Sequence, residues 1–147
     1  IRRPLGATQL NQLCKYYDPL SRQCGNLTFA TIEGMLKGFI DLVFEWQGRF
    51  YIIDYKSNWL GDDETSYTQS ALEQAMCQHR YDLQYQLYCL ALHRYLRQRL
   101  THYDYSRDFG GVYYLFLRGM HKAYPQNGIF YYRPEQIFIE ELDTLFS

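Results

Sequence analysis

No apolar run in this chain approaches the ~18 residues that a membrane-spanning helix needs. Residues 1–25 hold no unbroken apolar stretch, so no secretory leader is expected either. The four cysteines, Cys14, Cys24, Cys77 and Cys89, form no Cys-x-x-Cys pair, which removes the commonest zinc and redox motifs. Four free thiols in a reducing, cytoplasmic setting are the expectation. Net positive charge is lacking as well. Lys and Arg number 15 against 16 Asp and Glu, for a formal net charge of −1. A domain that gathers nucleic acid through its whole field is far more basic, so any nucleic-acid contact here is local or is delivered by a partner. No Gly-x-x-x-x-Gly-Lys-Ser/Thr loop occurs, so an ATP-driven motor is not encoded within these residues. No starting methionine is present, and Ile1-Arg2-Arg3-Pro4 reads as a chain entered midway. Residues 1–147 are therefore expected to form one domain belonging to a larger polypeptide.

What is present is apolar and aromatic. Hydrophobic residues make up 47% and aromatic residues 18% of the chain, enough to fill a core. Leu10, Leu13, Cys14 and Tyr17 lie at helical spacing, and Asp18-Pro19 ends that helix. Residues 18–26 read as loop. Residues 27–31, 37–44 and 50–56 read as strands, rich in β-branched and aromatic side chains, with a tight turn at Gln47-Gly48 between the last two. Residues 66–99 are helical. One unbroken helix of that length would span about 50 Å, so a break is expected near 79–82. The run VYYLFL (112–117) predicts a strand buried on both faces, and 129–132 an edge strand. Pro134 then opens a closing helix with Ile137, Phe138, Leu142 and Leu145 inward. The resulting fold class is α/β, a mixed sheet flanked by helices.

The hairpin carries the chemistry. A turn centred on Gln47-Gly48 pairs residues whose numbers sum to 95, which sets Asp41 opposite Asp54. Cross-strand neighbours have β-carbons roughly 4.5–5.5 Å apart. Strand alternation puts Lys56 on the same face as Asp54. Two carboxylates and an ammonium thus converge among Phe39, Ile40, Leu42, Val43, Ile52 and Ile53. Facing carboxylates in such surroundings are costly unless a cation joins them, and hard oxygen donors suit Mg²⁺. Two carboxylates, a metal and a lysine are the parts needed to hydrolyse a phosphodiester. The alternative is a solvated surface hairpin with Lys56 paired to one acid.

The segments Gly38-Phe39-Ile40-Asp41-Leu42-Val43-Phe44 and Asp54-Tyr55-Lys56-Ser57-Asn58-Trp59-Leu60-Gly61, with residues 79–88 and 109–119, resemble the nuclease domains of RecB-like helicase-nucleases. These belong to the PD-(D/E)XK superfamily, whose core order is αβββαβ. The resemblance implies that Asp41, Asp54 and the Tyr55 main-chain carbonyl hold the metal, Mg²⁺ with Mn²⁺ as a substitute, and that Lys56 is catalytic. Gln84 and Tyr88 match the family's Gln-x-x-x-Tyr motif. They are i, i+4 neighbours on one helix face and are expected to hold DNA or the lysine. Arg80, near the helix break, is a further candidate for substrate contact. The resemblance also implies a metal-binding histidine on a helix upstream of the hairpin. No residue occupies that place, so the first core helix is expected to be missing or incomplete. Implied partners are DNA and RecC-like and RecD-like subunits, and the implied task is processing of double-strand breaks and degradation of linear DNA. Two other readings are a nuclease-fold docking module without turnover and a stand-alone resolvase. The retained acids and lysine disfavour the first, and the midway start and RecB-like match disfavour the second. Arg94, Arg97 and Arg99 crowd a helix C-terminus, where cations are favoured by the dipole without any ligand.

Overall fold

Thr28 decides the first departure from the sequence reading. Its side chain accepts from the Thr31 amide and caps a helix, so residues 27–31 do not form a strand. Asp18 acts in the same way: it ends one helix and, with Pro19 behind it, starts another, where a loop was expected. In the computed structural model, which describes residues 6–147, the chain begins α1 (Ala7–Tyr17), α2 (Pro19–Gln23), α3 (Phe29–Met35). The hairpin β1 (Leu42–Trp46) and β2 (Arg49–Lys56) comes next, then α4 (Gln69–Gln78), α5 (Tyr81–Arg99) and α6 (Tyr105–Asp108). The strands β3 (Phe109–Phe116) and β4 (Ile129–Tyr132) and the helix α7 (Gln136–Leu145) complete it. Residues 1–4, on which the expectation of a chain entered midway rests, lie outside the described residues.

The four strands lie in the order β1-β2-β3-β4. The β2–β3 pair is parallel and the outer two pairs are antiparallel, so the sheet is mixed and the fold is α/β, with helices flanking the sheet. The hairpin register is the expected one: Leu42 faces Ile53, and Trp46 faces Arg49. Gln47 and Gly48 have φ of 51° and 79°, the two left-handed positions that a two-residue type I′ turn requires. β1 is shorter than residues 37–44 suggest, and Asp41 sits in a bend just before it.

α5 packs its length against the inner sheet face. Leu83, Tyr85, Cys89, Ile52, Val112, Tyr114 and Phe116 are buried there. The helix break falls at His79–Arg80, where Arg80 takes a left-handed φ of 55°. The other sheet face carries the aromatic row Phe44, Tyr51, Tyr113 and Tyr131, with successive ring centroids 5.2, 5.9 and 4.8 Å apart. Tyr113 and Leu115 are only half-buried, so β3 is not enclosed on both faces as its apolar run implies. In α7 the inward residues are Phe138, Ile139 and Leu142. Ile137 is exposed, since at 100° per residue it lies about 140° round the helix from Leu142.

The thiol expectation is corrected. Cys24, at the end of α2, and Cys77, on α4, are joined in a disulfide across 53 residues of sequence, with Cα atoms 5.1 Å apart. Packing of α2 on α4 creates this proximity. Cys14 and Cys89 are free and buried.

Candidate active site

Alternation along β2 points Ile52, Asp54 and Lys56 at α5, and burial grades outward from 0% exposed at Ile52 to 3% at Asp54. Lys56 Nζ lies 2.6 Å from Asp54 Oδ2. This ion pair is the one polar contact of the buried Asp54 Oδ2 among the described residues. The lysine is held from two further sides. Its ammonium donates to Gln84 Oε1 at 3.1 Å and lies 3.9 Å from the centre of the Tyr81 ring. Gln84 Oε1 also accepts from Tyr114 OH at 2.6 Å, which fixes the amide.

Asp41 sits at the open end of the hairpin ladder, one step beyond the Leu42–Ile53 pair, and is solvent-exposed. Its Oδ2 accepts from the Tyr55 amide at 3.1 Å. Tyr88 OH donates to the Phe39 carbonyl at 2.7 Å and so anchors the segment leading into Asp41. Gln84 and Tyr88, on one face of α5, thus grip the lysine and the approach to the first aspartate respectively. Arg80 is committed elsewhere: Nε and Nη2 fork onto the Asp82 carboxylate, and Nη1 donates to the Gly25 carbonyl. Arg94 and Arg97 pair with Asp143 of α7. Tyr81 and Tyr114 were not singled out from the sequence. Both lie in apolar runs, and only the pairing of Asp54 with Tyr114 across β2–β3 exposes the relation.

Burial pushes the Asp54 carboxyl up to about 6, and the adjacent Asp41 carboxyl pushes the same way, while Lys56 opposes. Tyr88 is pushed up to about 12 by burial and by the Asp54 and Asp41 charges, so its hydroxyl stays a donor. The sign for stability follows from linkage. Asp54 titrates higher folded than unfolded, so its favourable contribution is complete below about pH 4 and is lost as pH rises through 6. Asp54→Asn should therefore raise the melting temperature of the metal-free protein at pH 7.5 by roughly 2–6 °C. That gain should shrink toward zero near pH 4. A gain independent of pH, read by calorimetry, would contradict the assigned cause.

The donor set fits a divalent cation. Asp54 offers a buried carboxylate, and Asp41 a second carboxylate beside it. Mg²⁺ is commonly held by one or two carboxylates, with water and phosphate completing the shell. Among the described residues no third His, Cys, Asp or Glu joins them. His79 stacks on Tyr81 and His93 pairs with Tyr103, so neither stands in for the implied histidine.

A mixed α/β sheet thus carries two aspartates and a lysine at the open end of its β1–β2 hairpin. The profile of the PD-(D/E)XK nuclease superfamily matches residues 8–145, and the chain belongs to that superfamily. Its named relatives are RecB subunits. It is 58% identical over 147 residues to the RecBCD enzyme subunit RecB of Escherichia coli (strain K12), covering 100% of this chain and 12% of that protein. It is 49% identical over 146 residues to the subunit of the same name from Haemophilus influenzae, covering 99% of this chain and 12% of that one. For the Mycobacterium tuberculosis subunit the figures are 43% over 109 residues, 70% of this chain and 10% of the relative. The chain thus spans about 12% of the length of the first two relatives. No helix among the described residues is long and apolar enough to cross a membrane.

Proposed function

We propose that the chain is the nuclease segment of a RecB-like helicase-nuclease, an exodeoxyribonuclease that hydrolyses DNA phosphodiesters with Mg²⁺, or with Mn²⁺ in its place. The observation that carries this reading is the buried Asp54 carboxylate with the Lys56 ammonium 2.6 Å away and the Asp41 carboxyl beside it. Asp41, Asp54 and the Tyr55 carbonyl would hold the cation. When bound, it would polarise a phosphoryl oxygen and acidify a water. Lys56 would orient the attacking water and donate to the phosphoryl oxygens on which negative charge builds. Gln84 and the Tyr81 ring hold the ammonium in place for that task. Tyr88 keeps Asp41 at the mouth of the site through the Phe39 carbonyl. Arg80 is assigned to substrate only at one remove, since its donors are bound to Asp82 and Gly25. It shapes the start of the helix that carries Gln84.

The wider task is the one that the resemblance to RecB-like helicase-nucleases implies. DNA would be the substrate, RecC-like and RecD-like subunits the partners, and the cytoplasm the setting, with processing of double-strand breaks for recombinational repair and degradation of linear DNA as the outcome. Delivery by a translocating motor would explain why a net charge of −1 suffices, because tethering raises local concentration without intrinsic affinity.

Thermal melting in Mg²⁺ or Mn²⁺ tests the metal assignment. At a hundredfold excess over the dissociation constant, the cation should stabilise the protein by about 2.7 kcal/mol. Asp54→Ala should abolish the shift. An equal shift in both proteins would sink the assignment.

A further inference from the structure

One cleft lies immediately beyond the catalytic lysine and has no part in the chemistry above. β2 and β3 are parallel, and Lys56 pairs with Phe116 at their C-terminal ends. In open α/β sheets ligands bind beyond the carboxyl ends of the strands. Here the two chains leave the sheet together. Residues 57–61 carry Trp59, and residues 117–124 carry Arg118, His121 and Tyr124. Between them lies a cleft of about 560 Å³.

Its walls are fixed. Arg118 Nε donates to the Ser57 carbonyl at 2.7 Å and ties the end of β3 to the residue after Lys56. The Leu60 amide donates to Tyr67 OH at 3.0 Å. Tyr67 packs so closely on Gly119 that an added β-carbon there would lie 2.1 Å from the ring. The rims are open and aromatic: Trp59 is 62% exposed and Tyr124 45%. Among the described residues, the two terminal nitrogens of Arg118 make no hydrogen bond, so both remain available. His121 Nδ1 accepts from the Ala123 amide at 3.0 Å, which leaves the proton of the neutral ring on Nε2 as a donor. Asp62, Asp63 and Glu64 also border the cleft and turn phosphates away from their side. Asp63 Oδ1 accepts from the Thr65 amide and hydroxyl, which holds its charge on that side of the cleft.

An exposed indole beside an arginine with free forked donors is the pairing that takes an unpaired nucleobase and its phosphate. We infer that this cleft is a nucleotide subsite next to the scissile position, with the base stacked on Trp59 and the adjoining phosphate held by Arg118. The inference rests on the nuclease reading and deepens it. A base can stack on Trp59 only when it is out of a duplex.

Two measurements test it. The chain has two tryptophans, Trp46 and Trp59, so Trp46→Phe leaves Trp59 alone. Oligothymidylate added in EDTA should quench that emission, and an abasic oligomer of equal length should not. In steady-state cleavage of single-stranded oligonucleotide, Trp59→Ala should raise KM roughly tenfold to a hundredfold. Its kcat should change by less than about threefold. Trp59→Phe should recover most of the loss. Equal quenching by the abasic oligomer, no quenching, or an unchanged KM in Trp59→Ala would overturn the subsite. If Lys56→Ala still stops cleavage in that case, the nuclease reading stands. If Lys56→Ala cleaves normally, that reading itself falls.

Discussion

Lys56→Ala should lower DNA cleavage by roughly 10²–10⁴-fold, the range expected for loss of a positioned group that handles a proton or a developing charge. The ammonium is held by Asp54, by Gln84 Oε1 and over the Tyr81 ring, and such a three-sided grip leaves little freedom to wander. Alanine removes the donor and keeps both carboxylates. The metal-dependent rise in melting temperature should therefore survive, which separates a chemical defect from a failure to bind metal. Gln84→Ala should act through the lysine. Cleavage should fall less, by about tenfold, with Tyr114 OH losing its acceptor as well. Single-turnover cleavage by Lys56→Ala within tenfold of the parent rate would remove the lysine from the mechanism.

The largest effect on stability is expected at Asp18. This carboxylate is fully buried between α1 and α2, and burial raises its titration above the ordinary value. It accepts from the Leu20 amide, from Tyr85 OH at 2.6 Å and from Gln86 Nε2 at 2.8 Å. Ser21 extends the network, donating to the buried Asp82 and accepting from Gln86. Tyr85 and Gln86 lie on α5 beside Gln84. The same helix is thus pinned to the N-terminal helices on one side while presenting Gln84 and Tyr88 to the sheet on the other. Asp18→Ala would strand three buried donors at once and should cost about 3–5 kcal/mol. Urea denaturation with an unchanged slope should show it. Asp18→Asn, which keeps an acceptor oxygen, should cost less than alanine. A loss below about 1 kcal/mol in the alanine protein would mean that the network is not cooperative.

That network was invisible in the sequence. Asp18, Asp82 and Gln86 are polar residues in or beside helices, where solvation is the ordinary expectation, and only the docking of α1 and α2 on α5 buries them. The Cys24–Cys77 pair is hidden for a like reason, since its two ends come from different helices. Local patterns served better. Alternating apolar residues and the Gln47-Gly48 turn gave the register that sets Asp41 across from Asp54, and the length of 66–99 required the break found at Arg80. Where local signals competed, the cap won over the composition: Thr28 turned a β-branched stretch into α3, and Asp18 opened α2. At the site, the acids, the lysine and the glutamine could be read from spacing and resemblance. Tyr81 and Tyr114 could not, because their polar tips matter only once β2, β3 and α5 are assembled.

The two-residue turn makes loop length at the hairpin tip a question of parity. One extra residue between Trp46 and Arg49, if absorbed into β1, would rotate every side chain of that strand to the opposite surface and swing Asp41 away from its partner. Insertions of an even number absorbed into the strand keep the facing, and residues kept in a longer loop leave it untouched, so a tag, a probe or a tether at this tip has to stay out of the ladder.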